Sequence, residues 1–170
     1  MSWQRFKVNV PKKLSPIQRE ALAQEVIDFV INRSKSGLDK NNKPFPGYSD
    51  AYVKSLNFKI AGKSKGKVNL TLSQEMLQSL SLISHKPGEL LIGYDKSDNE
   101  LNGKVEGNVL GTYGRSSPIR GKARDFMGIS KKDLETILDK VASKDDAEQI
   151  LKERAAAGEL ASGIEFEDTD

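Results

Sequence analysis

The chain has 170 residues, 36% of them hydrophobic and 30% charged, with a formal net charge of +3; that is length for one real core plus extensions in a somewhat polar composition. It holds no cysteine and one histidine, His85, which excludes disulfides, thiolate metal sites and a multi-histidine metal site within one chain. No apolar run approaches the length that spans a bilayer, and the opening Met-Ser-Trp-Gln-Arg-Phe-Lys lacks the continuous apolar stretch of a signal peptide.

Residues 3 to 10 alternate, with Phe6, Val8 and Val10 on one side and Arg5, Lys7 and Asn9 on the other, which predicts a short strand or extended arm ended by Pro11. Ser15-Pro16 opens a helix: Ser15 caps, Pro16 takes the first turn and Gln18 completes a capping box. Ile17, Ala21, Leu22, Val26, Phe29 and Val30 give it one apolar face down to about Arg33, and Gly37 stops it. From Lys35 to Gly47 the composition predicts a stiff polar loop with one apolar anchor, Phe45, held between Pro44 and Pro46. Ser49 caps a short helix with Ala51, Tyr52, Val53 and Leu56, and Lys59 to Lys67 reads as a basic loop.

Val68, Leu70 and Leu72 alternate as an extended entry to a short helix that Ser73 caps and that carries Met76, Leu77 and Leu80. Ser81–Lys86, the turn Pro87-Gly88 and Glu89–Tyr94 predict a β-hairpin. Asp95 to Gly103 reads as a polar turn, and Lys104 to Leu110 as a third strand. Gly111 to Gly121 is an open basic loop. Phe126, Met127 and Ile129 then form an apolar plug before a helix running from Ser130 to about Ala142, with Ser130 as N-cap and Asp133 at its third position. Ser143 or Asp145 caps a last helix ending near Gly158, and Glu159 to Asp170 is an acidic arm.

Charge is unevenly spread. Arg33 to Lys67 carries nine Lys or Arg against two Asp, and Arg115 to Lys132 six against one, whereas Asp145 to Asp170 carries nine acids against two bases. Opposed blocks suit head-to-tail pairing between copies or contact with a charged partner, and they equally suit solvated loops and a solvated tail. Catalytic constellations are missing from the pattern. Gly62-Lys63-Ser64 lacks the earlier glycine of a phosphate-binding loop, and Asp95, Asp98 and Glu100 lack the alternation of a calcium loop. His85 has no Ser or Cys motif beside it and reads as a surface histidine. Lys59, Lys63, Lys65 and Lys67 beside Phe58 offer charge and one stacking ring for a phosphate backbone, but no sequence-reading motif accompanies them.

Three segments, in order, carry a resemblance. The first is the long helix followed by the polar loop 37 to 42, Lys43-Pro44-Phe45, and Tyr48-Ser49-Asp50-Ala51-Tyr52-Val53-Lys54. The second is Leu70-Thr71-Leu72-Ser73-Gln74-Glu75-Met76-Leu77-Gln78-Ser79-Leu80, with Gln74 where the related pattern has glycine and Met76 where it has leucine. The third is the Gly-rich loop leading to Ala123-Arg124-Asp125-Phe126-Met127-Gly128-Ile129-Ser130 and its helix, without the usual proline before the Arg-x-Phe stretch. Over roughly residues 15 to 142 the chain resembles the tailed-bacteriophage virion morphogenesis and tail-completion proteins.

That resemblance implies a structural, non-enzymatic protein of the virion head–tail junction, made in the host cytoplasm, with no cofactor and no membrane contact. It implies a ring of copies, a hexamer or dodecamer, around the DNA channel, touching neighbouring portal, adaptor or stopper proteins or tail tube and sheath proteins. It leaves neck adaptor and tail terminator both open. The interface or fold candidates are Phe45, Arg115, Arg120, Arg124, Phe126 and Gly128; Lys59, Lys63, Lys65 and Lys67 are the candidates for facing DNA. Phe126 is also read simply as a core residue, and Gly128 as filling a left-handed turn. The alternative function is non-specific nucleic-acid binding through the basic loops. The expected fold is α+β: a small antiparallel β-sheet packed against the long N-terminal helix, with C-terminal helices and an acidic tail. Residues 1–142 form the neck-like domain, and residues 143–170 a C-terminal helix and acidic extension.

Overall fold

The computed structural model describes residues 4–48, 50–60, 74–112 and 123–158. The fold is α+β. Three antiparallel strands, β1 (Arg5–Asn9), β2 (Ser81–Lys86) and β3 (Glu89–Gly93), lie in the order β1-β3-β2. The long helix α1 (Pro16–Lys35) follows β1. Short helices α2 (Asp50–Val53), α3 (Leu56–Ile60) and α4 (Gln74–Gln78) precede the β2–β3 hairpin, and α5 (Asn99–Leu110), α6 (Lys131–Lys140) and α7 (Lys144–Ala156) follow it.

Helix α1 begins as its sequence dictates. The Ser15 N–H donates to Gln18 Oε1 at 2.9 Å and the Gln18 N–H donates to Ser15 Oγ at 3.2 Å, so each satisfies a backbone donor that the first turn would leave bare. It ends at Gly37, whose φ of +86° suits a residue without a side chain. The helix is buried on more than one face. Ala21, Leu22, Ala23, Val26, Ile27 and Val30 are all in the core, because β2 and β3 cover one side and α6 and α7 another. Ile17 and Phe29, expected on the buried face, pack only partly against that core.

The sheet holds the other half of the core. Phe6 and Val8 alternate inward along β1, and Leu90 and Ile92 along the central strand β3. Gly93 pairs with Arg5, and a Cβ there would lie 2.3 Å from the Gln4 carbonyl oxygen, so β1 crosses β3 where no side chain fits. Tyr94 follows; it is fully buried, and its hydroxyl has no hydrogen-bond partner among the described residues.

Three expectations are corrected. Lys104 to Leu110 is not a strand, and the polar turn ends before Asn99. Both belong to α5, which Asp98 caps by accepting from the Leu101 N–H at 3.0 Å. Leu101 and Val105 recur at helical spacing and are buried, with Val109 packed alongside. Asn108 reaches α4 through an Nδ2–H to the Met76 sulfur at 3.9 Å, and Gly111 closes the helix with φ of +74°. Lys59 and Ile60, expected in a loop, are the last residues of α3.

Ser130 and Ser143 cap α6 and α7 as expected. Helix α7 lies on α1 and shares its core through Ala147 and Leu151. The extended entry expected at 68 to 72, the caps Ser49 and Ser73, and the acidic arm 159 to 170 lie outside the described residues. No described helix is long and apolar enough to cross a membrane.

Candidate functional site

The last turn of α1 places Arg33, 5% exposed, beneath the segment that follows α5. Its Nη1 donates to the Gly128 carbonyl at 2.8 Å and its Nη2 to the Phe126 carbonyl at 2.7 Å. A planar guanidinium presents two parallel donors, and here it bridges alternate carbonyls of one loop. Burial lowers the pKa of Arg33, and Asp133, Asp39 and Asp125 counter it. Those three carboxylates surround the fork and keep the charge compensated.

Around Arg33 two distant loops are tied together. The Asp39 Oδ1 accepts from the Asn41 and Lys43 N–H groups at 2.8 and 2.9 Å, which closes the polar loop on itself. Lys40 then reaches across. Its N–H donates to the Asp125 carbonyl at 2.9 Å, and its Nζ lies 2.8 Å from Asp125 Oδ2. Asn42 Nδ2 donates to Asp133 Oδ2 at 2.7 Å, and the Ser130 hydroxyl donates to the same oxygen at 2.7 Å. These two bonds, the Ser130 one foremost, hold the Asp133 carboxyl below its ordinary pKa. Phe45 plugs the loop's far end, 6% exposed, with its N–H on the Gly37 carbonyl at 2.9 Å.

A second cluster adjoins the first. Tyr48, Tyr52 and Phe58 form a mutual triad with ring centroids 5.3, 5.5 and 5.4 Å apart. The Arg124 guanidinium carbon sits 4.9 Å from the Tyr48 centroid, within cation–π range. The Arg124 N–H also bonds the Asn108 carbonyl at 2.6 Å, joining the segment to α5.

Thus Phe126 and Gly128 are held by Arg33 at the junction, Phe45 anchors the loop tied to it, Arg124 covers Tyr48 and Lys59 is exposed on α3. Arg115, Arg120, Lys63, Lys65 and Lys67 lie outside the described residues. Phe126 is fully buried, as a core residue should be. Gly128 is corrected: it is not in a left-handed conformation, and a Cβ there would meet the flexible Lys40 side chain at 3.2 Å. Phe58 is corrected as well, for it is 7% exposed and packed edge-on against two tyrosines, so it offers no open face to a base.

His85 is half-buried rather than a plain surface residue. Its Nδ1 accepts from Arg19 Nε–H at 3.0 Å, and its Nε2 lies 3.5 Å from Glu20 Oε1. An arginine N–H can only donate, so Nδ1 carries the lone pair and the proton sits on Nε2, facing Glu20. That lone pair is already engaged.

Sequence reasoning missed Arg33 as a site residue. A basic residue in a helix's last turn reads as a dipole partner, and its two acceptors are backbone carbonyls that no residue type announces. Among the described residues no group of three or more His, Asp or Glu could hold a metal ion. Comparison with protein-family models, with curated proteins and with solved structures returns no match for this chain.

Proposed function

We propose that this chain is a structural virion protein of the tailed-phage head–tail junction, a neck, tail-completion or tail-terminator component. It forms a hexameric or dodecameric ring around the DNA channel and joins the tail to the connector. Its neighbours are portal, adaptor or stopper proteins, or tail tube and sheath proteins. The observation that carries this reading is the Arg33 junction. The loop after α1 and the Phe126–Gly128 stretch belong to two of the three segments in which the sequence resembles that family, and here they are bonded to each other and to one guanidinium.

Such an arrangement spends its polar groups on holding loops in place. A ring subunit needs that, because each copy must offer its neighbours the same surface. The role is structural, not catalytic, in keeping with a histidine whose lone pair is taken by Arg19. Lys59, Lys63, Lys65 and Lys67 are the side chains that would face DNA in the channel. The test is assembly and location: the chain, alone and mixed with virion parts, is weighed by mass photometry, and purified virions are assayed for it. A chain that stays monomeric both alone and in the mixture and is missing from virions does not have this role.

A further inference from the structure

The sheet has two margins, β1 and β2. A marginal strand points half of its main-chain N–H and C=O groups away from the ladder, where another strand can take them. The two margins differ. In β2 the register shifts between Leu82 and Ser84, a bulge that interrupts the row. In β1 the register runs unbroken from Arg5 opposite Gly93 to Asn9 opposite Glu89.

Two bonds that bracket the β1–β3 ladder set its phase. The Val10 N–H donates to the Gly88 carbonyl at 3.1 Å, and the Tyr94 N–H donates to the Gln4 carbonyl at 3.0 Å. In an antiparallel pair, residues bonded across the ladder alternate with residues whose N–H and C=O both face the other way. Phe6 and Val8 therefore bond β3, whereas Arg5, Lys7 and Asn9 turn three N–H and three C=O groups outward. None of these six groups has a partner among the described residues. The side chains alternate in step. Phe6 and Val8 are buried on the core side, and Lys7 and Asn9 are exposed on the other. Residues 4–13 hold four Lys or Arg and no acid. Glu89 lies 3.4 Å from the Lys7 Nζ, but it is shared with Lys86 at 3.9 Å.

We propose that the open margin of β1 takes an extended segment of a partner protein as an added strand, one with acidic side chains at alternate positions. Main-chain bonds to Arg5, Lys7 and Asn9 hold the segment, and its alternation gives specificity. Side chains opposite Arg5 and Lys7 share the outer face, where acids are complementary. Those in between fall beside Phe6 and Val8, where apolar groups extend the core side. The row from Arg5 to Asn9 is roughly 17 Å long, enough for a strand of ordinary length. A second copy of β1 fits worse. Antiparallel self-pairing centred on Lys7 sets two lysines face to face, and pairing centred on Phe6 sets Arg5 against Lys7. This proposal does not depend on the virion role.

The test uses the ¹⁵N-labelled full chain and two end-capped peptides of about seven residues, one alternating Glu with Val and one alternating Lys with Val. With the Glu/Val peptide at saturation, the amides of Arg5, Lys7 and Asn9 are expected to shift and to exchange about tenfold slower or more. Those of Phe6 and Val8, already bonded to β3, are expected to keep their rates. The Lys/Val peptide is expected to leave all of these amides unchanged. Lys7→Glu keeps every main-chain group and is expected to weaken binding of the Glu/Val peptide about fivefold or more. No response to the Glu/Val peptide, an equal response to both peptides, or undiminished binding by the variant would overturn the proposal. So would protection of Arg5, Lys7 and Asn9 that grows with protein concentration in the free chain, which would give this margin to a second copy.

Discussion

Arg33 and Phe126 stand 93 residues apart in sequence, and the guanidinium of the first holds the carbonyl of the second at 2.7 Å. One side chain near the end of the longest helix thus fixes a loop that has no regular structure of its own. Replacing Arg33 with methionine keeps most of the side-chain volume but leaves two carbonyls unsatisfied beside three acids. The expected loss is about 2–4 kcal/mol of unfolding free energy, read by urea titration. Lysine at this position should recover only part of it, since a point charge cannot span both acceptors. A loss under about 0.5 kcal/mol for the methionine variant, the range of an ordinary surface change, would remove Arg33 from its assigned role.

Two glycines separate close backbone approach from mere proximity. Gly93→Ala places a methyl group 2.3 Å from the Gln4 carbonyl and 2.8 Å from the Arg5 Cα, both backbone atoms that cannot swing aside. The variant should lose about 2 kcal/mol or more as β1 is pushed off β3. Gly128→Ala meets only the methylenes of Lys40, so its cost should stay below about 1 kcal/mol. Thermal melts of the two variants side by side decide the matter, and equal costs would contradict the geometry.

The Tyr94 hydroxyl is buried without a partner among the described residues, and burial pushes its pKa far above the ordinary phenol value. Tyr94→Phe removes an unsatisfied polar atom and keeps the ring. Stability should be unchanged or rise by up to about 1 kcal/mol. A clear fall in the denaturation midpoint would mean that the hydroxyl has a partner after all.

Asp133 has its pKa depressed in the fold by Ser130 and Asn42. The unfolded chain therefore binds this proton more readily, and the carboxylate's contribution is present above the unfolded value and lost as pH falls through the folded one. Acid unfolding should steepen below about pH 4, the ordinary carboxylate range. Asp133→Asn should flatten that part of the stability–pH profile while lowering stability at neutral pH. Identical profiles for the two proteins would show that Asp133 is not a coupled group.

Local signals made much of this fold readable from its residues. Ser15, Pro16 and Gln18 specify the start of α1 by bonds within four residues, and Pro87-Gly88 between two apolar runs specifies the hairpin. Helix α5 misleads because Val105, Gly107 and Val109 alternate like a strand and Gly103 and Gly107 weaken helix propensity. Burial of Leu101 and Val105 in the core settles the competition in favour of the helix, and that packing is tertiary. At the junction Phe45 and Phe126 were legible as anchors because large aromatics must be buried. Arg33 was not, because its partners are main-chain oxygens supplied by a distant loop. The Tyr48–Tyr52–Phe58 triad needed the folded chain to bring α2 and α3 face to face.

The proposed role is assembly at the head–tail vertex of a virion. The most direct measurement is electron microscopy of purified particles that carry the chain with a gold-binding tag. Label is expected only at the junction between head and tail, in a ring of six or twelve copies. Complete tailed particles that lack both the label and the chain would contradict it.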